Sequence, residues 1–235
     1  MALETNLISS WNYDESSGNA TDNKGGKTLT NVNTVTYGLG KIRNASIFNG
    51  SDQEFTRSAG TLGFSNNWSF SFLRKFDTAG NHERIFLAIT ADAKDQIMIL
   101  KSDLNKLRVV LIGSNRTTYK DYRGDTVMTC DGSTWYHLGV SYDGTNLILY
   151  VNNHVETLTK TLDHAVSMSD SSRTINIGGG NYFDGMADTD NMFGATLSGA
   201  EFTQLYNGGD GMYFNGTIFV TGLFPVHASF LLNMI

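Results

Sequence analysis

The sequence has few of the residues that build disulfide-stabilised proteins. It contains one cysteine, Cys130, and one proline in 235 residues. A single cysteine excludes a disulfide framework within the chain, and we expect Cys130 to be a small buried or half-buried side chain and not a nucleophile. The redox compartment is not readable from one thiol.

Charged residues are also scarce, at 17% of the chain, and they leave a net charge of −6. This acidic balance, without a basic patch, argues against a phosphate-neutralising surface, so no nucleic-acid partner is expected. The first residues, MALETNLISSW, contain no basic segment followed by a long apolar core. No classical secretory signal is therefore expected.

Short alternating runs separated by turn residues are what the chain has in abundance. The clearest stretch, from Trp135 to Leu158, contains three strand-like runs and two turn signals, Asp143-Gly144 and Asn152-Asn153. Such dipeptides suit the positive φ angles of tight turns, so the stretch predicts a three-stranded antiparallel meander. Because a meander buries one face, a second sheet must cover it.

Similar runs occur along most of the chain and predict a sandwich with little helix. Trp11, Trp68 and Trp135 all lie within alternating patterns, where packing in the core is the expected role. One helix is predicted from Ser198 to Tyr206, because Ser198 and Glu201 have the spacing of a capping box ahead of an apolar run.

The phrase WYHLGVSYDGTNLILYVNNHVE resembles the laminin-G-like, concanavalin A-like lectin/glucanase domain found in phage and bacterial surface proteins. The opening DESSG and the later INIGGG and YFDG are similar to further elements of that family. The resemblance covers about residues 3 to 211. It implies an all-β fold, a jelly-roll sandwich of two antiparallel sheets, with residues 1–211 as the domain and 212–235 as an apolar extension.

Catalysis is not expected. Glycosidases of the lectin/glucanase superfamily place paired carboxylates on one strand as Glu-x-Asp-x-x-Glu, and that pattern is absent here. None of the six glutamates is followed two residues later by an aspartate. His137 lies within a strand pattern, where a hydrogen-bonded core or interface histidine is expected and not a general base.

Two polar loops are rich in the oxygen ligands that calcium prefers, around Asp22-Asn23 and from Asp184 to Asn191. The resemblance implies a structural Ca²⁺ near these loops, with Asp22 and Asp188 as the matching positions. Asn23 and Asp190 complete the candidate ligand set. The alternative is that these side chains form turns and face solvent.

Glycan binding would require aromatic faces and polar side chains displayed on loops or on a sheet face. Tyr119, Tyr122 and Tyr182 lie in polar loops, where we expect them to be better exposed than the tryptophans, and they are the candidate ligand-binding residues.

The last segment, Gly211 to Ile235, contains no charged residue and is too apolar to remain exposed to water. Gly222, Pro225, His227 and Asn233 interrupt the apolar run, which argues against a membrane span. It is expected to form strands that pack on its own domain or add to a neighbouring subunit. The candidate assembly residues are Ile218, Phe219, Val220, Leu223, Phe224, Phe230 and Leu231.

These features lead to one expected function and two alternatives. The expected function is that of a non-enzymatic assembly subunit of a virion or extracellular filament. Such a subunit would be located in the particle or on an extracellular surface and bound to copies of itself or to other particle subunits. The first alternative is a calcium-supported carbohydrate-binding module, with glycans as partners. A glycoside hydrolase is the least favoured.

Overall fold

The computed structural model describes residues 2–64, 66–168 and 172–222, and in these residues the regular secondary structure is almost entirely β-strand. One α-helix, α1 (Gly199–Tyr206), and two short 3-10 helices, Leu3–Thr5 and Asn207–Gly209, accompany the strands. The strands in chain order are β1 (Leu7–Trp11), β2 (Thr30–Val32), β3 (Thr36–Leu39), β4 (Asn44–Asn49), β5 (Glu54–Gly60), β6 (Trp68–Phe76), β7 (Glu83–Ile89), β8 (Gln96–Lys101), β9 (Leu107–Ile112), β10 (Tyr119–Arg123), β11 (Trp135–Tyr142), β12 (Leu147–Val151), β13 (His154–Val155), β14 (Thr159–Asp163), β15 (Arg173–Ile177), β16 (Asp184–Phe193), β17 (Met212–Phe214) and β18 (Phe219–Thr221).

The strands form two large antiparallel sheets and one small hairpin. The first sheet has the order β13-β12-β11-β6-β16-β4-β3, with β1 also paired to β16. The second has the order β14-β10-β9-β8-β7-β15-β5-β2, and β17 pairs with β18. Central neighbours such as β6 and β16 lie far apart in sequence, so the chain crosses repeatedly between sheets. The predicted all-β, two-sheet jelly-roll sandwich is confirmed.

The predicted meander is present as β11, β12 and β13. Leu138 pairs with Val151, and Val151 in turn pairs with His154. The second turn is tight because Asn152 and Asn153 adopt left-handed φ angles of 49° and 66°, which asparagine tolerates better than most residues.

Alternation along these strands places the main core between the sheets. Trp11 and Trp68 are almost fully buried in it, as their patterns predict. Trp135 differs, because it lies half-buried at the start of β11 with the Lys75 ammonium 6.0 Å from its ring centroid. The expectation that Trp135 is a core residue is therefore only partly met.

A second apolar cluster covers the outer face of the first sheet. The ring of Phe202 in α1 stacks on Tyr150 at 4.3 Å between centroids, and Gly139 makes room for it, since a Cβ there would lie 2.6 Å from the Phe202 ring. Phe219 of the hairpin packs on Phe193 in the same cluster. Residues 212–222 therefore pack on their own domain.

The predicted capping box on α1 is present. The Ser198 hydroxyl accepts from the Glu201 backbone N–H at 3.3 Å, and the Glu201 carboxylate accepts from the Ser198 N–H at 2.8 Å. We expect Ser198→Ala to lower the free energy of unfolding by about 1 kcal/mol, because one helix-end amide loses its acceptor. Urea denaturation measures this. Ser16→Ala, in an exposed loop, is the control, and equal losses in both variants would contradict the assignment.

Candidate functional site

An open cleft of about 600 Å³ is the candidate ligand site. It lies where the loop after β1 faces the turn between β2 and β3. Its lining residues are small, polar or aromatic, and none is charged; they are Ser16, Ser17, Gly18, Asn19, Asn31, Asn33, Thr34, Val35, Thr36 and Tyr37.

Asn31 joins the two walls of the cleft. Its amide nitrogen donates to the carbonyl oxygens of Gly18 and Val35, both at 2.8 Å, and its amide oxygen accepts from the Val35 N–H at 2.7 Å. The Asn31 backbone N–H donates to the side chain of Asn19 at 3.0 Å. Because an asparagine amide carries both donors and an acceptor, this one side chain fixes both walls.

The turn between β2 and β3 is held in an unusual conformation. Asn33 and Thr34 have φ angles of 57° and 60°, and a β-branched residue such as threonine disfavours this region. Two hydrogen bonds from the β4–β5 connection brace it: Asn33 donates to the Asp52 carbonyl at 2.8 Å, and Gln53 donates to the Thr34 carbonyl at 2.6 Å. The turn is therefore set before any ligand binds.

Tyr37 supplies the aromatic surface of the cleft. Its half-buried ring lies 6.2 Å from that of Phe55, and its hydroxyl donates to the Gly18 carbonyl at 2.9 Å. Burial and the nearby Glu15 carboxylate raise the pKa of Tyr37, so the hydroxyl remains a neutral donor. A tyrosine ring beside uncharged hydrogen-bonding groups suits a neutral, hydroxyl-rich ligand.

The three tyrosines predicted to bind ligand lie elsewhere. Tyr122 faces the core from β10 and is 2% exposed, with its hydroxyl bonded to Asp163, so its expected exposure is wrong. Tyr119 begins the same strand and donates to the Arg116 carbonyl at 2.6 Å. Tyr182 is exposed between β15 and β16.

The first pair of predicted metal ligands is already engaged by the backbone. Asp22 accepts hydrogen bonds from the backbone N–H groups of Ser10, Lys24 and Lys27 at 2.8–2.9 Å. The Asn23 amide donates to the Ser10 carbonyl at 3.4 Å. These contacts tie the loop after β1 back to that strand, which is a structural role.

The second pair lies on β16 and has different partners. Asp188 accepts from the N–H groups of Lys41 and Ile42 at 2.6 and 2.8 Å, and burial raises the pKa of its carboxyl to about 7. Asp190 forms a bidentate ion pair with Arg74 and accepts the Tyr13 hydroxyl at 2.7 Å.

Calcium takes about six to eight oxygen ligands around one point. The carboxylates of Asp22, Asp188 and Asp190 instead accept from three separate sets of donors. Among the described residues they do not form a group of three metal-ligating side chains. This donor set does not fit Ca²⁺ as it stands, and calcium binding by the chain stays a prediction.

The candidate assembly residues fall into two groups. Ile218 is 50% exposed next to the hairpin turn, Val220 is half-buried, and Phe219 is buried in the domain's own second cluster. Leu223, Phe224, Phe230 and Leu231 lie outside the described residues. The assembly role stays a prediction.

Within the part of the chain that the structure describes, no helix has the length and apolar character of a membrane span.

Sequence reasoning missed Tyr37 and the asparagines around it. The signal was present in the segment TNVNTVTYG, where two asparagines next to a tyrosine strand predict a turn beside an aromatic side chain. The segment itself does not show that the preceding loop, residues 16–19, forms the other wall of the cleft.

Comparisons with known proteins agree with the sandwich. Residues 48–202 match the sequence model described as the concanavalin A-like lectin/glucanases superfamily. A similar solved structure is domain 4 of AbnA, an extracellular arabinanase of family GH43 from Geobacillus stearothermophilus, in complex with arabinotriose. It is 21% identical with a TM-score of 0.66, over 85% of this chain and 97% of that one.

Two further similar structures belong to larger proteins. The receptor-binding domain of botulinum neurotoxin D is 18% identical with a TM-score of 0.64, over 88% of this chain and 54% of that one. Trypanosoma rangeli sialidase, in complex with the inhibitor DANA, is 10% identical with a TM-score of 0.59, over 85% of this chain and 32% of that one. This chain thus spans about half of the toxin domain and a third of the sialidase. No curated protein sequence matches it significantly. At these identities the likeness is one of fold.

Proposed function

The chain belongs to the concanavalin A-like lectin/glucanase superfamily, and we propose that it is a non-enzymatic carbohydrate-binding module whose Tyr37 cleft binds a neutral oligosaccharide. The observation that carries the proposal is the half-buried Tyr37 ring in a braced cleft without charged lining residues. The arabinotriose complex of the similar arabinanase domain supports a sugar as the ligand class.

The cleft offers the two kinds of contact that a neutral sugar makes. One is apolar, between the C–H face of a sugar ring and the Tyr37 ring. The other is polar, between sugar hydroxyls and the Ser, Thr and Asn side chains that line the walls. Because Asn31 and the braced turn already hold the walls, little ordering entropy is lost on binding.

Binding without cleavage is also favoured by the lining of this cleft. Glycoside hydrolysis in most families needs two carboxyl groups on either side of the scissile bond. Among the described residues that line the cleft there is neither a carboxylate nor a histidine. The proposal is therefore recognition of a sugar chain, not its hydrolysis.

A glycan array probed with the full chain, followed by calorimetry with the best-bound oligosaccharide, tests the proposal. We expect Tyr37→Ala to weaken that binding at least about tenfold, because the aromatic ring that lines the cleft is lost. Tyr37→Phe keeps the ring and should retain most of the affinity. Binding should also persist in EDTA, because the cleft offers no carboxylate to a metal.

Tyr182→Ala is the matched control, since it removes an exposed tyrosine that does not line the cleft. Melting temperatures show whether each variant remains folded. If Tyr37→Ala does not fold, two other variants provide the test: Tyr37→Phe should keep its affinity, and the bulky Ser17→Trp in the opposite wall should lose it. An array without hits, or equal losses in the Tyr37 and Tyr182 variants, would refute the proposal.

A further inference from the structure

A cluster of potential metal ligands lies at the edge where the chain passes from the first sheet to the second. β13 is a two-residue edge strand, and the chain continues from it to β14 in the other sheet. The Glu156 N–H still donates to the Leu149 carbonyl at 2.9 Å, so the extended backbone continues one residue past β13. Strand alternation then places His154 and Glu156 on the same side.

The second sheet contributes Asp125, two residues after the end of β10. Asp125 accepts from the Thr157 N–H at 3.0 Å. In return Glu156 accepts from the Thr126 N–H at 2.8 Å and from the Thr126 hydroxyl at 2.6 Å. Gly124 leaves space for this carboxylate, because a Cβ there would lie 2.3 Å from a Glu156 oxygen. Both carboxylates are therefore held in place by reciprocal bonds between the two segments.

The geometry brings one ligand atom each of Asp125, His154 and Glu156 within 4.8 Å of one another. The imidazole Nε2 lies 3.9 Å from the Asp125 carboxylate. Two carboxylates at this separation both attract a cation placed between them, because like charges disfavour each other at short range. Among the described residues, His154 is the only basic side chain in ion-pair contact with either of them. This arrangement favours an added cation.

We propose that Asp125, His154 and Glu156 form a binding site for one divalent transition-metal ion, best matched by Zn²⁺. An imidazole with two carboxylates suits zinc, whereas calcium prefers a shell made of oxygens alone. Tetrahedral zinc bonds of about 2.0–2.2 Å require ligand atoms roughly 3.3 Å apart. His154 is 60% exposed, so its side chain is free to close that short distance.

Three protein ligands leave the fourth zinc position open to water. The site is separate from the Tyr37 cleft, with which it shares no residue. His154 and Glu156 lie in and directly after β13 of the first sheet, and Asp125 follows β10 of the second sheet. Bound metal would therefore link the two sheets at this edge and stabilise the folded state.

Calorimetric titration of the EDTA-treated and dialysed full chain with ZnCl₂ tests the site. We expect one saturable site, and we expect His154→Ala and Asp125→Asn each to weaken it at least about tenfold, since even outer-shell changes weaken metal binding on that scale. His82→Ala is the matched control, because His82 is half-buried and forms a similar pair with Asp103, 3.6 Å apart, without a second carboxylate.

Thermal unfolding gives an independent readout. Zn²⁺ should raise the melting temperature of the wild type and of His82→Ala, but not that of His154→Ala. His154 is exposed, so His154→Ala should leave the melting temperature of the metal-free protein unchanged. If His154→Ala lowers it, Asp125→Asn is used as the site variant instead. No saturable zinc site, equal weakening by the His82 and His154 changes, or an equal stabilisation by CaCl₂ would each overturn the proposal.

Discussion

Replacing Asp190 with alanine is expected to lower the free energy of unfolding by about 3–5 kcal/mol, because it leaves a buried guanidinium charge without its partner. Arg74 is 0% exposed and Asp190 is 1% exposed. The guanidinium lies 5.2 and 5.8 Å from the ring centroids of Phe72 and Phe183, so no water replaces the lost carboxylate easily. Tyr13 loses its hydrogen-bond acceptor at the same time.

Urea denaturation measures the loss, and a surface ion pair provides the control. Asp210 is 62% exposed and lies 3.7 Å from Lys41, so Asp210→Ala should cost less than about 1 kcal/mol. The double variant Arg74→Met with Asp190→Leu removes both charges and should recover much of the stability lost by Asp190→Ala. If Asp190→Ala costs no more than Asp210→Ala, the ion pair is not a stabilising element of the core.

The same variants separate this role from the calcium expectation. If Asp190 were a calcium ligand, CaCl₂ would stabilise the wild type and this gain would disappear in Asp190→Ala. If the Asp190 carboxylate instead binds Arg74 and Tyr13, Asp190→Ala lowers the free energy of unfolding equally in CaCl₂ and in EDTA. The second outcome is the one we expect from the contacts in the structure.

Features that depend on neighbouring residues could be predicted from the sequence. Turn geometry at Asn152-Asn153 follows from local backbone preferences, and the link between Ser198 and Glu201 spans one helical turn. The alternation of Trp68, Phe70 and Phe72 along β6 places these rings on the core side of the strand in the same local way, although Ser69 and Ser71 between them are buried as well. The two-sheet fold and the helix were predictable because such local signals recur along the chain.

Roles that depend on distant partners could not be predicted. Asp190 looks like a calcium ligand in sequence, and only the fold shows that its partner is Arg74, 116 residues away. The sequence predicts Tyr122 to lie exposed in a polar loop, yet it lies buried in β10, where Lys120 is also buried and pairs with Asp163. The sequence shows which side chains are available, whereas topology decides which of them meet.

Acid is expected to reduce the stability of the protein through His137. This histidine is 4% exposed in β11, as its strand pattern predicts, and its Nε2 lies 2.8 Å from the Ser71 hydroxyl. Its other ring nitrogen is buried and, among the described residues, has no hydrogen-bond partner. Burial lowers the pKa of His137 from 6.5 to about 4, because the charged ring would lose its hydration.

The sign of the effect follows from proton uptake. Between pH 6.5 and about 4 the unfolded chain protonates this histidine and the folded protein does not. Lowering the pH therefore favours unfolding, by up to about 1.4 kcal/mol per pH unit and about 3 kcal/mol over the whole window. Above pH 6.5 both states carry a neutral ring, so the histidine contributes no further dependence on pH.

His137→Gln isolates this contribution, because glutamine can bond Ser71 but does not titrate. The unfolding free energies of the wild type and the variant are measured at pH 7 and at pH 4.5, and their difference is compared between the two pH values. The contribution of the carboxylates is the same in both proteins and cancels in this difference. We expect the variant to lose about 2–3 kcal/mol less than the wild type over that range. Parallel pH profiles for the wild type and His137→Gln would mean that the buried ring takes up its proton without unfolding, through local opening under α1.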